Sequence, residues 1–291
     1  MDLRAIGMGL LFAFIWSSAF TSARIIVADA SPVFSLALRF LISGLIGVII
    51  AKALGQTWTL TRDQWRATFV FGICQNALYL GLNFVAMQWI EASLASIIAS
   101  SMPLMVAFAG WTLFREKLPT LGLIGMIAGF AGVILIMGSR MGGGVDPLGI
   151  AMCVMAAIGL TIATMMMRGA SSGGNVMMVV GLQMLVGSAV LAVVAVLFED
   201  PRLNVTLPLA MAFTYTVLMP GLFATWVWFL LVQRIGAVRA ATFHFLNPFF
   251  GVAVAAVILG EALGVTDVVG VIIITLGILA VQISKQKPTQ S

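Results

Sequence analysis

Ala92-Ser93-Leu94-Ala95-Ser96-Ile97-Ile98-Ala99-Ser100-Ser101-Met102-Pro103 and, 145 residues further on, Ala237-Val238-Arg239-Ala240-Ala241-Thr242-Phe243-His244-Phe245-Leu246-Asn247-Pro248 read as two copies of one segment. The match continues at the same offset without a gap. Gln88, Ile90, Ala92, Ala95, Pro103, Glu116, Leu118, Gly125, Ile127 and Gly132 fall on Gln233, Ile235, Ala237, Ala240, Pro248, Glu261, Leu263, Gly270, Ile272 and Gly277. Coincident Leu or Val would mean little in an apolar chain, but a proline, a glutamate and two glycines recurring in register mark an internal duplication.

The chain around these segments is 62% apolar and only 9% charged, with a mean hydropathy of +1.14. A water-soluble domain cannot carry that composition, so the solvent is lipid. A hydrocarbon layer about 30 Å thick takes roughly 20 apolar residues per helix. Such runs follow one another at 5–27, 33–54, 66–88, 92–113, 120–139, 147–167, 176–198, 208–232, 237–259 and 265–284. They are continuously apolar, where barrel strands would alternate, and the breaks are too short to hold an ATPase or binding domain. The expected fold class is an all-α membrane protein of ten transmembrane helices, divided into repeats at 1–140 and 146–291. Five spans per repeat is an odd number, so the second repeat enters from the opposite face and the two are inverted.

The net charge of +5 forms no basic stripe of the kind that binds nucleic acid. Lys and Arg instead sort by side. With the N-terminus inside, Arg4, Lys52, Arg62, Arg66, Arg115, Lys117, Arg168, Arg234, Arg239, Lys285 and Lys287 are cytoplasmic, against Arg24, Arg140 and Arg202 outside. That asymmetry predicts two cytoplasmic termini in a cell inner membrane. Ala28-Asp29-Ala30 resembles a signal-peptidase site, but the apolar run before it is too long for a signal and removing it would break the repeat. Cys74 and Cys153 both fall inside spans and read as small packing residues, with no disulfide or metal pattern and no cofactor implied.

Several motifs in this order resemble the drug/metabolite transporter superfamily, in particular its EamA-type ten-helix exporters. They are Trp16-Ser17-Ser18-Ala19-Phe20, Leu38-Arg39-Phe40, the run to Pro103 followed by Arg115-Glu116-Lys117-Leu118, and the run to Pro248 followed by Gly260-Glu261-Ala262-Leu263. The resemblance covers almost the whole chain. It implies export of amino acids or other metabolites, no ATP-binding domain, and a central cavity lined by helices 1, 3, 4, 6, 8 and 9.

Polar residues inside the spans nominate the site. In the third span Gly72, Asn76, Tyr79 and Asn83 are spaced by four, three and four, which puts them on one helical face. Such a stripe either bonds a neighbouring helix or lines a wet cavity. Ser93, Ser96 and Ser100 repeat the pattern in span four, Ser17, Thr21 and Arg24 in span one, and Thr161 and Thr164 with Arg168 in span six. Small hydroxyl residues also permit close helix contact, so both readings stay open. Arg39, about two turns into its span, either snorkels toward the outer surface or finds carbonyls or an anion, and the family resemblance implies a structural clasp first and carboxylate binding second. Gly122, Gly125, Gly129 and Gly132 form a small-residue face suited to packing or to a homodimer contact.

Pro103 and Pro248 each remove a backbone hydrogen bond mid-span and free the carbonyls of Ala99 and His244, so both helices should kink there, as fixed bends or as hinges. His244 is the single histidine, and no Asp or Glu lies well inside a span. Coupling to protons would therefore run through His244 or not exist. The expected substrate cavity comprises Trp16, Ser17, Asn76, Tyr79, Asn83, Ser100, Thr161, Trp228, His244 and Asn247. Hydroxyls, amides and Trp without a basic cluster favour neutral or aromatic amino acids as the small-molecule partner, with other metabolites or drugs as the alternative.

Two other classes compete. A channel or structural subunit needs no charged residues either, but paired mid-helix prolines in inverted repeats favour a carrier. An intramembrane hydrolase is suggested by Gly169-Ala170-Ser171-Ser172-Gly173. That motif requires a strand-turn-helix elbow with a base and an acid nearby, and it lies here in a Gly/Ser loop far from His244, so no enzyme activity is expected.

Overall fold

The computed structural model describes residues 3–166 and 174–286; the G-x-S-x-G stretch, Arg168 and Lys287 lie outside the described residues. Among the described residues, ten helices are long and apolar enough to cross a membrane. They are α1 (Leu3–Asp29), α2 (Pro32–Ala53), α3 (Arg62–Ala86), α4 (Ala92–Leu113), α5 (Thr120–Gly142), α6 (Pro147–Met166), α7 (Val176–Phe198), α8 (Leu207–Ile235), α9 (starting at Ala237 and ending at Leu259) and α10 (Val265–Gln286). With ten crossings, Leu3 and Gln286 lie at the same end of the bundle, called here the terminal end.

Two helix pairs run unbroken through the bundle. α5 packs along α10, and α2 along α7, each through glycine. Gly125 and Gly132 of α5 face Ala280 and Ile274 of α10, and a Cβ on Gly277 would lie 2.8 Å from Gly129 Cα. On the other pair, Gly47 meets the Cα of Gly181. Without side chains between them the backbones approach to van der Waals contact, which is how helices associate where lipid removes the hydrophobic drive. The glycine face of α5 is thereby covered within the chain, by α10 and by Leu104 of α4, and is not left for a second copy.

α1 and α6 are also continuous, whereas α3, α4, α8 and α9 are interrupted, and the interruptions repeat at the offset seen in the sequence. α3 is π-helical over Gly72–Tyr79 and α8 over Val217–Phe223, where Pro220 sits inside the helix. α4 breaks at Ser101, between Ala92–Ser100 and Met102–Leu113, and α9 tightens into a 3-10 turn over Phe243–Leu246 before Asn247–Leu259. Each of these last breaks comes in the turn ahead of its proline, which supplies no N–H to that turn.

The widened turn in α3 lies against α7. A Cβ on Gly72 would meet Val186 Cγ1 at 2.7 Å and the Gln183 carbonyl at 2.8 Å, and Asn76 meets the same stretch of α7, its side chain against Gly187 and its amide on the Gln183 carbonyl.

Candidate functional site

Between the two halves lies a cavity of about 480 Å³. Every helix except α5 contributes to its wall, so α2, α7 and α10 join the six that the family resemblance implied. Its lining runs from Met87, 1% exposed at one end, to Lys285, exposed in the last turn of α10 at the terminal end.

Beyond Met87 the bundle is tied shut by charged side chains satisfying helix ends. Glu261 accepts from Ala92 N at 2.8 Å and Ser93 N at 3.0 Å, and Glu199 accepts from Val33 N at 2.9 Å and Phe34 N at 2.7 Å. Each carboxylate thus caps the N-terminus of a helix in the other half, where unpaired N–H groups and the helix dipole favour negative charge. Arg140 pairs with Asp267 at 3.0 Å and with Glu91. Arg24 donates to the Met87 carbonyl, and Arg202 donates to the Val27 carbonyl at 3.1 Å while its backbone N–H meets Ser31 Oγ. Asp29 accepts from Thr206 Oγ1 at 2.6 Å.

Of the residues nominated from sequence, Trp16, Asn76, Tyr79, Asn83, Ser100, Pro103, Trp228, His244 and Asn247 come together on the cavity wall. Ser17 and Thr161 do not. Ser17 is fully buried where α1 meets Gly251 of α9, and Thr161 donates to the Ala157 carbonyl of its own helix at 2.8 Å. Thr164, one turn further on, faces the cavity in its place. Pro248 is buried behind the wall. Ser93, Ser96 and Thr21 are likewise buried off the cavity, their hydroxyls serving close helix contact.

The wall has two chemically distinct ends. Toward the terminal end, Phe12, Trp16, Trp228 and His244 form an aromatic cluster, with ring centroids 5.6 Å apart for Phe12–Trp16, 4.8 Å for Phe12–Trp228 and 5.3 Å for Trp228–His244. Asn247 Nδ2 stands 3.0 Å from His244 Nδ1, which holds that ring nitrogen as an acceptor. Toward the closed end the wall is polar. Asn76 donates to the Gln183 carbonyl at 3.0 Å, and Asn83 donates to the Tyr79 carbonyl at 2.7 Å while its Oδ1 is left without a partner.

Arg39 also reaches the cavity, 5% exposed. Its guanidinium lies 4.9 Å from the Phe40 ring centroid, its Nε has no hydrogen-bond partner, and it forms no ion pair among the described residues. It is therefore not the clasp that the family resemblance implied. The carboxylate caps were missed from sequence, although the recurrence of Glu116 as Glu261 at a helix boundary was a signal for one of them.

A profile of the EamA-like transporter family matches residues 3–138 and 147–283. The uncharacterized transporter YvbV of Bacillus subtilis is 25% identical over 94% of this chain and 90% of its own length. The S-adenosylmethionine/S-adenosylhomocysteine transporter of Chlamydia muridarum is 27% identical over 49% of this chain and 44% of its own. A solved crystal structure at 20% identity has the same fold, with a TM-score of 0.69 over 97% of this chain and 99% of that one. Matched across both repeats, with an interrupted-helix cavity between them, the chain is a multi-pass membrane transporter, not an enzyme, and belongs to the EamA-like transporter family.

Proposed function

We propose that the chain exports small metabolites, foremost neutral and aromatic amino acids, by alternating access of the cavity between its halves, 1–140 and 146–291. The observation that carries this reading is the unequal treatment of the cavity's two ends. One is sealed by cross-half caps and ion pairs, and the other reaches an exposed residue of α10. In an inverted repeat a state of this kind has a counterpart in which the roles of the ends are exchanged. The basic residues clustered at the terminal end support termini in the cytoplasm of an inner-membrane protein, which makes this the state that loads from the cytoplasm.

An aromatic cluster beside amides suits a flat, partly polar solute. The Chlamydia relative named for S-adenosylmethionine, itself an amino-acid derivative, agrees with that class. No Asp or Glu lines the cavity among the described residues, so transport runs without a proton gradient, and His244 serves as a neutral polar contact.

The test is counterflow in proteoliposomes. Labelled L-phenylalanine or L-tryptophan should move faster when unlabelled substrate is placed on the opposite side, with no pH gradient. Flux indifferent to opposing substrate would make the protein a channel, and strict dependence on a pH gradient, lost in His244→Ala, would make His244 a proton carrier.

A further inference from the structure

The exporter reading leaves a buried cation unexplained. Arg39 sits seven residues into α2 from the closed end, 5% exposed, with Nε unpartnered and no ion pair to a carboxylate among the described residues. A guanidinium in a membrane interior is costly unless something anionic or a set of carbonyls answers it. Only the ring of its neighbour Phe40 does so here, and a cation–π contact is a fraction of what desolvation removes. The open space on the cavity side is where a counter-charge fits.

We propose that Arg39 binds the carboxylate of the transported solute, with the solute's flat apolar body directed to Phe12, Trp16 and Trp228. This rests on the exporter reading and narrows its substrate class to carboxylates. The guanidinium fork presents two N–H groups in the geometry of a carboxylate, which favours this anion over a point charge. The cavity holds no acidic side chain among its described lining, so an ammonium group on the solute finds only neutral acceptors such as the unpartnered Oδ1 of Asn83. The amine is consequently tolerated without being demanded, whereas the carboxylate is required. A bound anion also neutralises Arg39, so the loaded cavity is less costly to desolvate than the empty one. That difference favours rearrangement of the occupied carrier over the empty one.

Three probes that share a phenyl ring separate the contributions. L-Phenylalanine carries both charges, 3-phenylpropanoate only the carboxylate, and phenethylamine only the ammonium. Binding is read on the detergent-solubilised full chain by thermal shift and by fluorescence of the cavity Trp residues. L-Phenylalanine and 3-phenylpropanoate should bind with affinities of the same order, and phenethylamine about tenfold or more weaker, the scale expected for losing a buried hydrogen bond to a charged group. Arg39→Gln should weaken both carboxylates by about tenfold or more and leave phenethylamine unchanged, with Arg39→Lys between.

The ligand series on the unmodified chain decides the question even if Arg39→Gln does not fold. Preference for phenethylamine, equal binding of all three, or absence of carboxylate binding overturns the proposal. Carboxylate binding without counterflow would keep Arg39's role and remove the exporter reading, while counterflow of an amine lacking a carboxylate would do the reverse.

Discussion

The α5–α10 and α2–α7 pairs are continuous helices in glycine-mediated contact, whereas α3, α4, α8 and α9 are each broken, α3 with α8 and α4 with α9 at equivalent places in the repeat. The broken helices carry most of the polar wall of the cavity. The difference separates two jobs in one bundle. Backbone packed against backbone cannot move without losing its contacts, so each glycine pair, with one helix from either half, ties the two halves together. Helices whose hydrogen-bond ladder is already interrupted can bend at small additional cost, and those face the solute.

The largest effect that would break this contrast is at the rigid pairs. Gly277→Leu places a side chain against the Gly129 backbone, which has no rotamer with which to yield. Overpacking typically costs about 1–3 kcal/mol and more against backbone. Folded, monodisperse protein should be lost on size-exclusion chromatography. A well-behaved Gly277→Leu protein would show that the α5–α10 contact is not structural.

An intermediate effect is expected at the closed end. Glu261→Ala removes the acceptor for two N–H groups at the start of α4 while leaving the glycine pairs intact. Hydrogen bonds to a charged group contribute about 1.5–3 kcal/mol each, and every 1.4 kcal/mol changes a state ratio about tenfold. Labelling of a cysteine at Ala23, near the closed end of the cavity, should rise by about tenfold or more from the side opposite the termini. Unchanged labelling would relegate the cap to a local role.

The smallest effect distinguishes wall from packing. Thr161→Val loses a hydroxyl bonded only to its own helix, and transport should stay within about twofold. Thr164→Val, on the cavity wall, should change it more, measured as initial counterflow rate. A reversal of that order would place Thr161 on the pathway.

Much of this division was legible in the sequence, and the exceptions have physical causes. The apolar run at 92–113 forms α4, Ala92–Leu113, because lipid imposes a length of apolar helix that composition records directly. α3 starts at Arg62, earlier than the apolar run at 66, since Thr61 and Gln64 make a reciprocal capping box outside the hydrocarbon. The prolines announced the breaks in α4 and α9. The π turn of α3 carries no residue signature. Ser17 and Thr161 were indistinguishable by type from Ser100 and Thr164, for a small hydroxyl serves a cavity and a close contact equally well, and only the opposing helix decides between them. The missing partner of Arg39 is a fact of three-dimensional placement that no spacing reports.

The central claim is that the cavity is reached from one end at a time and that Pro103 and Pro248 bend in exchange. Two single-cysteine chains, Ala23→Cys and Gln282→Cys, with Cys74 and Cys153 replaced by alanine, measure it through their rates of reaction with a small membrane-impermeant thiol reagent. Gln282→Cys should react and Ala23→Cys should be protected. Pro103→Ala and Pro248→Ala should then drive the two rates in opposite senses, one raising the Ala23→Cys rate as the Gln282→Cys rate falls and the other doing the reverse. Simultaneous reaction at both positions, or rates that neither proline substitution moves in folded protein, would contradict it.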